Sequence, residues 1–246
     1  MTDDPFRHHP GLRGKITDPH KSFFRTFQPA DIDAHMAAQG IGPDWRYTDE
    51  TREAFRNAAL EGRRDQDLWV FAYGSLMWDP ALDFEEVRRA RVTGYARRFI
   101  LKDVMGGRGT AEVPGVMAAL DTGPGCDGLV FRIAAARLEE ETRILWNRER
   151  LSPCYHETFV TAETDQGRVT ALAFTADYSA RMIVPDLPHD LQVQYAATGA
   201  GILGTSLEYL ENLAEHFEIM RIEDHDLTHF LAEVHAYRAA NGGPPL

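Results

Sequence analysis

The stretch Trp69–Trp78, WVFAYGSLMW, decides how the chain is read. Its first half is a run of β-prone residues that stops at Tyr73-Gly74-Ser75-Leu76 and resumes with a second tryptophan before Asp79-Pro80. A run of this kind closed by Gly-Ser reads as a buried strand followed by a turn. Successive backbone N–H groups at a strand end, with a glycine in the turn, form a concavity that suits an anion or a carbonyl oxygen. An ordinary strand-to-loop transition explains the same residues, and taken alone they favour it.

The texture differs on the two sides of this strand. Residues 1–66 are polar and carry short helical patterns, PADIDAHMAAQ (29–39) and TREAFRNAALEG (51–62). They predict a helical N-terminal extension packed on a main unit spanning 67–240. From residue 68 onward short strands are expected: DLWVFAY, then ARVTGYARRFIL as a single second strand, GVMAALD, and GCDGLVFRIA. ARLEEETRILWNRERL reads as a helix with Leu138, Thr142, Leu145 and Trp146 on one face, and Glu139, Glu140 and Glu141 in the early turns, where the helix dipole favours anions. HETFVTAETDQGRVTALAFTA reads as a hairpin turning at Asp165-Gln166-Gly167, and the C-terminal part, with SLEYLENLAEHFEIM and DLTHFLAEVHAYRAA, as mainly helical. Strands first and helices last, without βαβ alternation, predict an α+β fold with a mixed or antiparallel sheet.

At 246 residues, 43% hydrophobic and 26% charged, the chain is long enough for one large domain and too apolar for disorder. A net charge of −12 disfavours nucleic acid as the main partner. The arginines Arg88, Arg89, Arg91, Arg97 and Arg98 read as solvated strand faces rather than a phosphate site. No apolar run approaches the roughly 20 residues that span a bilayer. The start, MTDDPFRHHP, lacks a secretory signal, so a cytoplasmic location without membrane attachment is expected. Two cysteines, Cys126 and Cys154, make neither a disulfide framework nor a zinc site.

Two motifs are set aside. Gly199-Ala-Gly201-Ile-Leu-Gly204 satisfies GxGxxG after the possible strand LQVQY, but a dinucleotide fold needs a βαβ unit that the remaining residues do not supply. A helix–turn–helix junction of small residues is the better account. His225 and His229 mimic HExxH, but Asp226 stands where a metalloprotease needs glutamate. Glu149, in WNRERLSPCY, is of more interest. It ends a helix, where the dipole disfavours negative charge, and burial behind Trp146 adds desolvation. Both raise a carboxyl pKa toward the range useful for general acid–base catalysis. A surface glutamate paired with Arg148 or Arg150 is the competing account, and the pattern alone does not displace it.

The turn and Glu149 occur together in a recognisable frame. The sequence resembles the ChaC family of glutathione-specific γ-glutamylcyclotransferases, through WVFAYGSLMWDP, VTGYARRFIL, RGTAEVPGVMAALD, GLVFRI, NRERLSPCY and, more loosely, ATGAGILGTSLEYLENL, in family order over about residues 68–215. The resemblance implies a small mixed β-barrel with flanking helices. It implies that Ala72, Tyr73, Gly74, Ser75, Leu76 and Met77 bind a γ-glutamyl group, that Glu149 is the acid–base residue, and that Tyr155 faces the substrate. It departs from the family at Ala111, where proline is usual, and at Pro153-Cys154, before the tyrosine. The implied substrate is glutathione, a small molecule, and the reaction calls for no metal or organic cofactor. Two other readings stay open: Ser75 as the nucleophile of an amidase, and a non-catalytic protein that binds γ-glutamyl peptides. The oligomeric state is not legible.

Overall fold

The computed structural model describes residues 4–38 and 40–242. Three short helices precede the first strand: α1 (Phe23–Thr26), α2 (Asp33–Ala38) and α3 (Asp49–Ala59). The predicted pattern 29–39 forms a 3-10 turn running into α2; its last residue, Gln39, lies outside the described residues, as do residues 1–3. Then come β1 (Leu68–Ala72), β2 (Glu86–Val92), β3 (Tyr95–Asp103), β4 (Gly115–Thr122), β5 (Cys126–Ile133), α4 (Leu138–Glu149), β6 (Tyr155–Thr164) and β7 (Gly167–Ala176). The chain ends with α5 (His189–Thr198), the two-residue strands β8 (Ala200–Gly201) and β9 (Gly204–Thr205), α6 (Ser206–Met220) and α7 (His225–Asn241).

Five strands close on themselves in the order β1-β5-β2-β6-β7, with β7 returning to β1 in parallel through Trp69–Ala171 and Val70–Leu172. Closure gives each of the five strands two neighbours, which limits the backbone that a short sheet exposes at its edges. The β3–β4 hairpin hangs from the barrel through β4, which meets β7 in parallel at Leu120–Thr175. The arrangement is the expected small mixed barrel with flanking helices. Both faces of β1 are covered, so Val70, Phe71 and Ala72 are fully buried and the strand reads as a continuous apolar run.

ARVTGYARRFIL is two strands, not one. Gly94 has φ +82°, a conformation that favours glycine, and there the chain leaves β2 in the barrel to begin β3 in the outer hairpin. The candidate strand LQVQY is part of α5, and the glycines after it form the β8–β9 turn, with Gly201 tight against the carbonyl oxygens of Gly106 and Gly107. This helix–turn–helix junction needs small residues and has no βαβ geometry.

Helix α4 carries Glu149 at its last position, and the segment before β1 straps it down. Arg25 reaches Glu141 at 2.5 Å, Glu140 at 3.0 Å and Asp83 at 3.3 Å, and Arg56 reaches Glu139 at 2.9 Å. The acidic first turn therefore faces guanidinium groups from the extension as well as the helix dipole. Glu141 is fully buried there, which its place in an apparently solvated acidic run does not suggest.

Candidate active site

At the end of β1, Gly74 leads into a single 3-10 turn, Ser75–Met77. The turn closes on itself: Met77 N–H donates to the Gly74 carbonyl at 2.8 Å, and Asp79 N–H to the Ser75 carbonyl at 3.0 Å. It is also pinned from outside. The Tyr73 hydroxyl donates to the Phe174 carbonyl at 2.8 Å, and the Tyr73 carbonyl accepts from Arg97 Nε at 2.7 Å. Arg97 also holds Asp224 at 3.0 Å and is nearly buried, so for this arginine the solvated-face reading fails. Its neighbours are partnered too, Arg88 with Glu86 and Arg98 with Asp121.

The turn borders a small pocket of about 40 Å³, lined by Tyr73, Gly74, Ser75, Leu76, Met117, Ala118, Glu149, Tyr155, Phe174 and Tyr209. That is room for about three water molecules. Six of the predicted residues, Tyr73, Gly74, Ser75, Leu76, Glu149 and Tyr155, thus meet around one space. Ala72 and Met77 lie behind it, both fully buried. Outside, a cleft of about 990 Å³ shares Ser75 and Met117 with the pocket and runs between Phe24, Arg148, Arg108 and the α6 residues Glu208, Glu211 and Asn212. A small pocket beside a wide groove suits a ligand with a compact head and a longer tail.

Glu149 is both largely buried and paired, combining the two sequence-based accounts. Burial pushes its carboxyl pKa up, and Arg148 Nε, 3.0 Å from its oxygen, opposes that rise without cancelling it. Burial also holds Tyr73 and Tyr155 well above the ordinary tyrosine value and pushes Tyr209 up to about 12. All three phenols therefore stay protonated at neutral pH. Tyr209 Oη accepts from Ala118 N–H at 3.3 Å, leaving its own proton free to be donated.

Three contributors were not legible in the sequence: Tyr209, Arg148 and Arg97. Tyr209 comes from α6 and packs against Gly74 so closely that a Cβ there would collide with the phenol oxygen. Arg148 donates to Ser75 Oγ at 2.8 Å and to the Asp79 carbonyl. Arg148 adjoins Glu149 in the sequence, where its position points only to a neutralising partner. His216 packs near the turn against Trp78, yet its ring nitrogens face the Asn212 and Lys15 carbonyls. Among the described residues no cluster of His, Cys, Asp and Glu is arranged to hold a metal, and no helix is long and apolar enough to cross a membrane.

Residues 68–237, which carry the barrel, the turn and Glu149, match the ChaC-like protein family. The chain belongs to the ChaC family. It is 34% identical over 213 residues to the glutathione-specific gamma-glutamylcyclotransferase of Escherichia coli K12, covering 86% of this chain and 92% of that one. A rat relative, glutathione-specific gamma-glutamylcyclotransferase 1, is 31% identical over 159 residues, covering 63% of this chain and 71% of that one. The fold is similar to the crystal structure of the yeast cyclotransferase specific to glutathione, with a TM-score of 0.65 at 23% identity, covering 72% of this chain and 99% of that chain.

Proposed function

We propose that this ChaC protein is a glutathione-specific γ-glutamylcyclotransferase, acting on the small-molecule substrate through the unit spanning 67–240. The observation that carries the reading is a largely buried carboxyl, Glu149, facing a strand-end turn across a small pocket beside a wider cleft. The names of its relatives point to the same substrate.

The reaction needs no enzyme nucleophile. The substrate α-amine attacks its own γ-carbonyl; the C–N bond to cysteine breaks, and the products are 5-oxoproline and cysteinylglycine. Holding the chain curled gives effective molarities on the order of 10⁵ M or more. Glu149 takes a proton from the α-ammonium and returns one to the departing nitrogen, a task favoured by its raised pKa. The Gly74–Leu76 backbone and the Tyr209 hydroxyl are the candidate donors to the tetrahedral oxyanion or the α-carboxylate. Tyr155 borders the γ-glutamyl head, Ala72 and Met77 support the turn from behind, and the cysteinylglycine half lies in the outer cleft.

The amidase alternative asks Ser75 to be a nucleophile. The partner of its hydroxyl is Arg148, which is not a base, and His216 is engaged by backbone carbonyls. We read Ser75 as a binding residue. Incubating the protein with glutathione and separating products by mass spectrometry tests the reading. Equal amounts of 5-oxoproline and cysteinylglycine are expected; free glutamate, or unchanged glutathione, would refute it.

A further inference from the structure

The segment carrying α1 lies outside the residues that match the family, yet it reaches the site. Arg148 is nearly buried, and each of its three nitrogens is engaged: Nε by Glu149, Nη1 by the Asp79 carbonyl and Nη2 by Ser75 Oγ. These bonds lie in the guanidinium plane and leave its faces to packing. One face meets the Phe24 ring, with the guanidinium carbon 4.0 Å from the ring centroid. An aromatic face against a guanidinium attracts it and excludes water from it.

Phe24 is fixed independently of Arg148. Its own N–H is capped by Ser22 Oγ at 3.1 Å, and the next residue, Arg25, is tied to buried Glu141. Glu141 and Arg148 are seven residues apart on α4, so they share one helix face about 10 Å apart, and the strap runs alongside them. Upstream, Thr17 N–H donates to the Trp78 carbonyl at 2.7 Å, joining the same segment to the residue after the turn.

We propose that Phe24 is a positioning residue that holds Arg148 against Ser75 and Glu149, making the N-terminal extension a working part of the active site. Its catalytic consequence rests on the cyclotransferase reading. With Phe24 gone, Arg148 gains water and freedom, and its hold on the Glu149 carboxylate weakens. Phe24 borders the outer cleft, not the inner pocket, so Glu149 itself stays buried. The other titratable groups facing Glu149 are Tyr73 at the end of β1, Tyr155 from β6 and Tyr209 from α6, all protonated at neutral pH. Arg108 and Glu208 line the cleft beyond Arg148.

The test compares wild type with Phe24→Ala, Phe24→Leu and Phe24→Tyr by titrating ¹³C-labelled glutamate carboxyls, with Glu149→Gln assigning the signal. The acid limb of kcat/KM for 5-oxoproline release is measured alongside. Phe24→Ala and Phe24→Leu are expected to raise the Glu149 pKa by about 0.5 to 1, a threefold to tenfold change, and to move the acid limb to higher pH by the same amount. Phe24→Tyr keeps the ring face and is expected to restore the wild-type value. An unchanged or lowered Glu149 pKa in folded Phe24→Ala and Phe24→Leu would overturn the proposal, as would a Phe24→Tyr variant displaced as far as Phe24→Ala. If wild type releases no 5-oxoproline, the cyclotransferase reading fails, while the carboxyl titration still decides the role of Phe24.

Discussion

Gly74→Ala probes the closest contact in the site. The added methyl would collide with Tyr209 Oη, while the next ring atom, Cζ, stays at an ordinary 3.5 Å. The phenol must shift or the turn must open, and over-packing of this kind costs about 1–3 kcal/mol. A shifted phenol also loses its bond from Ala118 N–H, worth about 1 kcal/mol. Alanine restricts the unfolded chain, which offsets about 0.4–1 kcal/mol. The net loss is about 1–3.5 kcal/mol, or a fall of about 2–14 °C in Tm for a chain of this length. Tyr209→Phe separates the causes: alone it costs about 1–2 kcal/mol by leaving Ala118 N–H unpaired. In Gly74→Ala/Tyr209→Phe the colliding atom is absent, so the pair should be about 1–3 kcal/mol more stable than the sum of the single effects. Urea melts of the four proteins measure this coupling. Additive effects within about 0.5 kcal/mol would refute the contact and the tight packing of α6 on the turn.

Other perturbations test separate parts of the structure. Arg25→Ala strands the buried Glu141 carboxylate and should cost about 3 kcal/mol in a denaturant melt; a loss below about 1 kcal/mol would contradict the strap. Ser75→Ala should still yield 5-oxoproline from glutathione, with KM raised about tenfold through lost positioning, whereas a nucleophilic Ser75 predicts no product. For Glu149, the folded pKa lies above the unfolded one, so its contribution to stability is present below the ordinary glutamate value and is lost as pH rises through the raised value. Glu149→Gln removes this dependence. Its Tm advantage over wild type should therefore grow with pH across that window and then level off; an advantage that shrank would mean the pKa is depressed.

Much of the fold was legible because its signals are local. Strand β1 and its turn, the β6–β7 hairpin and helices α4, α6 and α7 each carry their own periodicity or turn residues. What failed depended on distant partners. The split at Gly94 was hidden because both halves of ARVTGYARRFIL are β-prone, and only pairing to different neighbours separates them. Barrel closure rests on two β1–β7 pairs about a hundred residues apart, which no single-strand pattern encodes. Within the site, Tyr73–Leu76, Glu149 and Tyr155 stood in recognisable segments. Tyr209 lay in an ordinary amphipathic helix, where a buried tyrosine reads as core. Arg97 and Arg148 looked like surface charge because their partners, a backbone carbonyl and a serine hydroxyl, are set by tertiary packing.

The central claim is that Glu149 moves the protons of the cyclisation. The direct measurement is 5-oxoproline release from glutathione by folded Glu149→Gln, with glutathione binding followed by calorimetry. Glutamine fills the same space and cannot exchange a proton, so binding without detectable product is predicted. Turnover near the wild-type rate would contradict the account.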